Sequence, residues 1–172
     1  LFIHYFKMSY ILGISAFYHD SAICLLKEDE IVFAAQEERY SRIKNDSSFP
    51  YNAIKASLET EKINLNNIEH IVFYEKPFIK FERILETYFA FAPYGLLMFI
   101  KSLPLWIKSK LFQKSIILKN LKKIEKNLDL NFDQKILFSS HHLSHASSAF
   151  FPSPFREAAI ITMDGVGEWS TI

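Results

Sequence analysis

Tyr10-Ile11-Leu12-Gly13-Ile14-Ser15-Ala16-Phe17-Tyr18-His19-Asp20-Ser21-Ala22-Ile23-Cys24-Leu25-Leu26 leads directly into Lys27-Glu28-Asp29-Glu30-Ile31-Val32-Phe33-Ala34-Ala35-Gln36-Glu37. Three apolar runs, Ile11–Ser15, Ser21–Leu26 and Ile31–Gln36, are separated by the polar break at Tyr18-His19-Asp20 and by the tight turn Lys27–Glu30. Runs of this length with polar breaks between them read as an antiparallel meander. The charged stretch from Glu37 to Asp46 that follows reads as the start of a loop.

Beyond the meander the period changes. Pro50 suits the first turn of a helix, and Ala53, Ile54, Ser57, Leu58 and Ile63 recur at helical spacing up to Asn64. A short strand is expected from Ile68 to Tyr74, ended by Pro77. From Phe78 to Phe91, Phe81, Ile84, Leu85, Tyr88 and Phe89 share one side, so that helix is expected to lie on a sheet. The stretch from Phe89 to Ile107 is the most apolar in the chain, but Pro93, Lys101 and Pro104 interrupt it. A spanning helix needs about 20 mostly apolar residues, so short helices packed over the core are expected instead. Leu111–Leu128 reads as a basic amphipathic helix, and Lys135–Ser139 as a strand. A further helix is expected from His141 or His142 to Phe150. Ala158–Met163 is apolar on both alternating faces and reads as a central buried strand with Asp164 at its carboxyl end.

Composition sets the outer limits. The chain has 172 residues, enough for one domain of ordinary size. It is 49% hydrophobic and 23% charged, which excludes a disordered or collagenous chain. The 17 Phe against 4 Gly describe a chain built to bury large side chains. A net charge of +1 provides no global field for nucleic acid, and no nucleic-acid partner is expected. Charge is nevertheless uneven, with eight Lys against the single acid Glu125 between Lys101 and Lys126. These lysines are read as a solvated face, and no membrane contact is expected. Cys24 is the only cysteine, so no intrachain disulfide can form and a reducing, cytoplasmic setting is expected. Residues 1–7 precede the first methionine, Met8, and read as a non-native or upstream extension, leaving 8–172 as an incomplete fragment of a larger domain.

Three polar clusters could carry chemistry. In His141-His142-Leu143-Ser144-His145, the first and last histidines are one helical turn apart and could aim both imidazoles at one ion, while His142 points elsewhere. A carboxylate would complete such a site, and Asp164 is the candidate. Asp164-Gly165-Val166-Gly167-Glu168 could admit an anion to its backbone N–H groups, or could simply be a hairpin turn. In Phe17-Tyr18-His19-Asp20-Ser21, His19 could take a proton from an alcohol, or His-Asp could be a turn pair. Lys44, after Arg39 and Arg42, is either a phosphate contact or a solvated loop lysine.

Together, Ile11–Ala22, Glu37–Lys44, His141–Ala146 and Asp164–Glu168, in that order, resemble the amino-terminal part of the O-carbamoyltransferases that decorate nodulation factors and antibiotics. The resemblance runs from about Met8 to the last residue and is weaker from Phe78 to Asn131. It implies an α/β fold, the actin/sugar-kinase/Hsp70-like (ribonuclease H-like) mixed sheet with helices, related to the universal tRNA threonylcarbamoyl transferase subunit. It also implies that His141, His145 and Asp164 hold a divalent ion, iron or manganese, and that His19 deprotonates the acceptor. Lys44 would help hold the nucleotide intermediate, and Gly165 and Gly167 would line the carbamoyladenylate pocket. The substrates of the whole enzyme would be carbamoyl phosphate, ATP and a small-molecule hydroxyl acceptor. A later metal-ligand Asp, the adenosine-binding half of the first domain and the carboxyl-terminal carbamoyladenylate-forming domain would be missing, so the metal site is expected to be incomplete and the fragment alone inactive. Two rival readings stand beside this one: a threonylcarbamoyl-type tRNA-modifying transferase, and a truncated non-catalytic chain whose basic, apolar middle binds a membrane or partner.

Overall fold

A computed structural model describes residues 9–106 and 112–165. Strands β1 (Tyr10–Ser15), β2 (Ala22–Lys27), β3 (Glu30–Gln36), β4 (Ile68–Phe73) and β5 (Ile136–Phe138) form a mixed sheet in the order β3-β2-β1-β4-β5. Short turns join the first three strands, so β1 pairs antiparallel with β2, placing Gly13 opposite Cys24, and β2 pairs antiparallel with β3. β1 pairs parallel with β4, placing Leu12 opposite Ile71. A parallel return needs a crossover. Helices α1 (Glu38–Ser41) and α2 (Tyr51–Glu61) provide it.

The chain divides into two compact units, residues 1–73 with 118–137, and residues 74–117 with 138–172. In the first unit, alternate residues of β1 and β2 (Tyr10, Leu12, Ile14, Ile23 and Leu25) are buried, and α2 packs on the sheet through Ala53, Ile54 and Leu58. Each large apolar side chain removed from water here contributes about 1.5–3 kcal/mol. The meander, α2 and β4 lie where the hydrophobic periods put them, with ends displaced by a few residues at most.

The second unit contains α3 (Pro77–Phe91), α4 (Leu96–Trp106) and α6 (His141–Phe150), while α5 (Gln113–Ile124) begins in this unit and ends in the first. Tyr88 of α3 stacks on Phe99 of α4, with ring centroids 4.1 Å apart and planes 8° from parallel. Beside this stack is a cavity of about 450 Å³ lined by Ile84, Phe91, Tyr94 and Met98.

Three expectations are corrected in this unit. Of α3, only Pro77 is buried, so the helix does not bury an apolar side as a sheet-covering helix would. Nor is the apolar stretch that follows packed away, for Leu97 and Met98 of α4 are 75% and 77% exposed. A helix apolar on most sides needs neighbours on most sides, and α3 covers α4 on one. Finally, Ala158–Met163 forms no strand; Ile161 is 76% exposed and Met163 78%. A central strand needs a hydrogen-bonded neighbour on each edge and a layer on each face. No described segment provides these. Among the described residues, no helix is long and apolar enough to cross a membrane.

One buried charge organises the crossover. Glu37 is 2% exposed, and its carboxylate accepts from Asn52 N (3.1 Å), Asn52 Nδ2 (2.7 Å) and Ala53 N (2.9 Å). These backbone N–H groups belong to the first turn of α2, whose cap residue Pro50 offers no side-chain acceptor. A helix N-terminus leaves such donors unpaired and carries partial positive charge, so a carboxylate satisfies both needs. Glu37→Ala is therefore expected to lower stability by about 2–4 kcal/mol, seen as a lower urea midpoint, with Glu37→Gln retaining part of the loss. An unchanged midpoint in the alanine variant would contradict this role.

Candidate functional site

Helix α6 begins at His141, with Ser140 in extended backbone immediately before it. One turn of helix brings His141 and His145 together, so that their Nε2 atoms lie 3.1 Å apart with ring planes at 89°. Asp164 arrives from the irregular segment after Met163 and places Oδ2 2.6 Å from His141 Nε2. Ligand atoms of the three residues all fall within 4.8 Å of one another. The His141 side chain is 12% exposed and Asp164 26%, while His145 is open to solvent. His142 lies outside the cluster, its ring centroid 6.1 Å from that of His141.

The proton arithmetic of this cluster is informative. His141 Nε2 can hold one proton, but it faces both a carboxylate oxygen and a second imidazole nitrogen, and an ionised carboxylate can only accept. One N–H cannot be directed well at two acceptors. A cation in place of that proton could draw lone pairs from all three groups. Two ligands about 2.1 Å from an ion and at right angles to one another would lie about 3 Å apart, close to the separations found. Two imidazoles and one carboxylate also form a donor set that suits iron, manganese and related divalent ions.

The other site residues belong to the first unit or to the margin of the described chain. His19 lies in the β1–β2 turn, 62% exposed, with Nδ1 2.8 Å from Asp20 Oδ2. The turn is conformationally demanding, because Phe17 and Asp20 have φ of 73° and 47°. The segment Asp46-Ser47 holds it in place, for Ser47 O accepts from Phe17 N at 2.9 Å and Asp46 O from Ser21 N at 2.7 Å. The Phe17 ring packs between Phe49 and Phe73, at centroid distances of 6.0 and 6.3 Å. Lys44 is exposed in the turn after α1. A Cβ added at Gly165 would meet no described atom within 4 Å, so no close backbone approach is built there. Gly167 lies outside the described residues.

Asp46 has a second role that sequence reading missed. The Ser41 hydroxyl, then the Ser48 hydroxyl and backbone N–H, donate to its carboxyl and hold it below its ordinary value of 3.8, against a smaller opposing effect of burial. Among the sequence signals, only the Asp-x-Ser spacing of Asp46 and Ser48 hinted at this local turn. Burial pushes the Cys24 thiol up instead, which lowers its thiolate fraction.

An α/β protein with a mixed sheet and a two-histidine, one-carboxylate cluster is the class that these observations define. Comparison with known proteins makes it specific. Residues 10–172 match the family described as Carbamoyltransferase N-terminus. An uncharacterized protein of Synechocystis, sll1178, is 53% identical over 166 residues, covering 95% of this chain and 26% of the relative. The nodulation protein NolNO of Sinorhizobium fredii is 31% identical over 160 residues, covering 91% of this chain and 21% of the relative. An uncharacterized Methanocaldococcus jannaschii protein, MJ1051, is 26% identical over 150 residues, covering 87% of this chain and 21% of the relative. The chain belongs to the carbamoyltransferase family and corresponds to its amino-terminal region. It spans between 21% and 26% of the length of these relatives.

The Asp46 carboxyl gives a pH test of the turn. Its folded pKa is depressed, so its contribution to stability is present above the unfolded value near 3.8 and is lost as pH falls through the folded one. Asp46→Asn is expected to be less stable than the wild type at pH 6, and the gap should shrink steadily below pH 3.8 in denaturant titrations. A gap independent of pH would remove the assignment.

Proposed function

We propose that this chain provides the ion-holding and acceptor-activating part of an O-carbamoyltransferase, which moves a carbamoyl group from carbamoyladenylate to a hydroxyl of a sugar or natural-product acceptor. Carbamoyl phosphate and ATP would be the source of the carbamoyladenylate. The observation that carries the reading is the convergence of His141 Nε2, His145 Nε2 and Asp164 Oδ2, within a chain of this family. A sheet ordered β3-β2-β1-β4-β5, antiparallel over its first three strands and parallel from β1 to β4, supports the actin/sugar-kinase/Hsp70-like (ribonuclease H-like) fold as the frame.

His141, His145 and Asp164 would hold a divalent ion, iron or manganese. When bound, such an ion polarises a carbamoyl or phosphate oxygen and so lowers the barrier to attack on a poor electrophile. The remaining steps belong to the side chains. Asp20 can only accept a hydrogen bond while ionised, so its contact fixes the proton on His19 Nδ1 and leaves the Nε2 lone pair as the base. His19 takes the acceptor's hydroxyl proton while the hydroxyl oxygen bonds to the carbamoyl carbon. The bond from that carbon to the adenylate oxygen breaks, and AMP leaves with the electron pair. Lys44, exposed beside Asn45, would steer the phosphate as a point charge.

Binding and chemistry can be tested apart. His145→Ala is expected to abolish loading with Mn(II) or Fe(II), measured by equilibrium dialysis, and unchanged loading would remove the ion site. In the whole enzyme, with carbamoyladenylate supplied, His19→Ala is expected to slow transfer to an alcohol by about 10²- to 10⁴-fold while metal content stays the same. A variant that transfers at the normal rate would exclude His19 as the base.

A further inference from the structure

Spacing on a helix brings two histidines to one face but does not choose their rotamers, and each ring still has several staggered orientations. In the second unit, two contacts from the start of the α3 segment act on this choice. The Tyr74 ring lies against the His141 ring, with centroids 5.7 Å apart and planes tilted by 54°. The Tyr74 carbonyl is 2.9 Å from Ser144 Oγ, a hydroxyl one residue before His145 and one helical turn after Ser140.

Serine within a helix commonly returns its hydroxyl to the carbonyl four residues earlier, and Ser140 O stands 3.0 Å away for that purpose. Its single proton is shared between that carbonyl and the nearer Tyr74 carbonyl outside the helix, and the share given to Tyr74 makes Ser144 a tether. The peptide it reaches is itself anchored. Glu75, the next residue, is 1% exposed and pairs with Lys80 Nζ at 2.5 Å.

We propose that Tyr74 and Ser144 are positioning residues for the ion site. The Ser144 hydroxyl fixes the rotation of the first turn of α6 against the Tyr74 carbonyl. The Tyr74 ring restricts His141 to the orientation that directs Nε2 at Asp164 and His145. This inference rests on the ion site proposed above and adds to it the groups that preorganise the two imidazoles. Groups that orient metal ligands commonly change affinity by about 10- to 100-fold when removed.

The test uses this chain and Co(II), whose visible absorption reports coordination number and geometry. Wild type is expected to bind Co(II), and His145→Ala to lose the signal. Ser144→Ala and Tyr74→Leu, the latter keeping apolar bulk, are each expected to weaken binding about 10- to 100-fold and to alter the spectrum. Ser144→Thr keeps the hydroxyl and Tyr74→Phe keeps the ring, so both should bind as wild type does. If wild type binds but Ser144→Ala and Tyr74→Leu match it in affinity and spectrum, the positioning roles are overturned and the ion site stands. If Tyr74→Phe is as weak as Tyr74→Leu, the ring argument is overturned. Absence of Co(II) binding by wild type would overturn the ion site, and the positioning roles with it.

Discussion

His141 Nε2 faces two electron-rich atoms at once, a carboxylate oxygen at 2.6 Å and an imidazole nitrogen at 3.1 Å. Lone pairs that converge in this way must share a proton or a cation. Every feature of the second unit that bears on function can be related to this meeting point. Helix α6 supplies two of the three groups from a single turn, Tyr74 meets Ser144 and His141 of that turn from its side, and the next residue, Glu75, pairs with Lys80.

The first unit solves a different problem with the same material. The turn that carries His19 is held in one conformation, although exposed turns are the least restrained parts of a fold. Here the left-handed backbone at Phe17 and Asp20 is sustained by backbone hydrogen bonds to Asp46 and Ser47 and by the Phe17 ring between two others. Two acidic residues of this unit make that possible. Glu37 starts the helix that covers the sheet, and Asp46 closes the loop that grips the turn. Both are buried in a stretch whose composition suggests only a charged surface loop.

Periodicity made the first unit readable. The apolar runs Ile11–Ser15 and Ser21–Leu26 with the polar break between them, and the helical spacing of Ala53, Ile54 and Leu58, each bury one face against the other, so local pattern and tertiary packing agree. The histidine pair was readable for the same reason, because helix geometry alone brings i and i+4 together. What escaped reading was contact between distant segments. Nothing local in Glu37 shows that its carboxylate meets Asn52 and Ala53, and nothing in Tyr74 shows that its ring meets His141. Apolar content misled in the middle of the chain and at Ala158–Met163, where hydrophobicity states a need for burial without stating what provides it.

That last segment bears directly on how the proposed ion site would form. Two of its groups ride on helix α6, whereas Asp164 follows six residues that make no strand. Fixing the backbone of a residue costs roughly 1–2 kcal/mol, so holding the carboxylate in place carries an entropic penalty that the histidines have largely met in forming α6. Binding of a cation would offset this penalty, and the ordering of Asp164 and occupancy of the site would then stabilise each other. The histidine pair is the preformed half of the site, and the carboxylate is the half that depends on what else its segment touches.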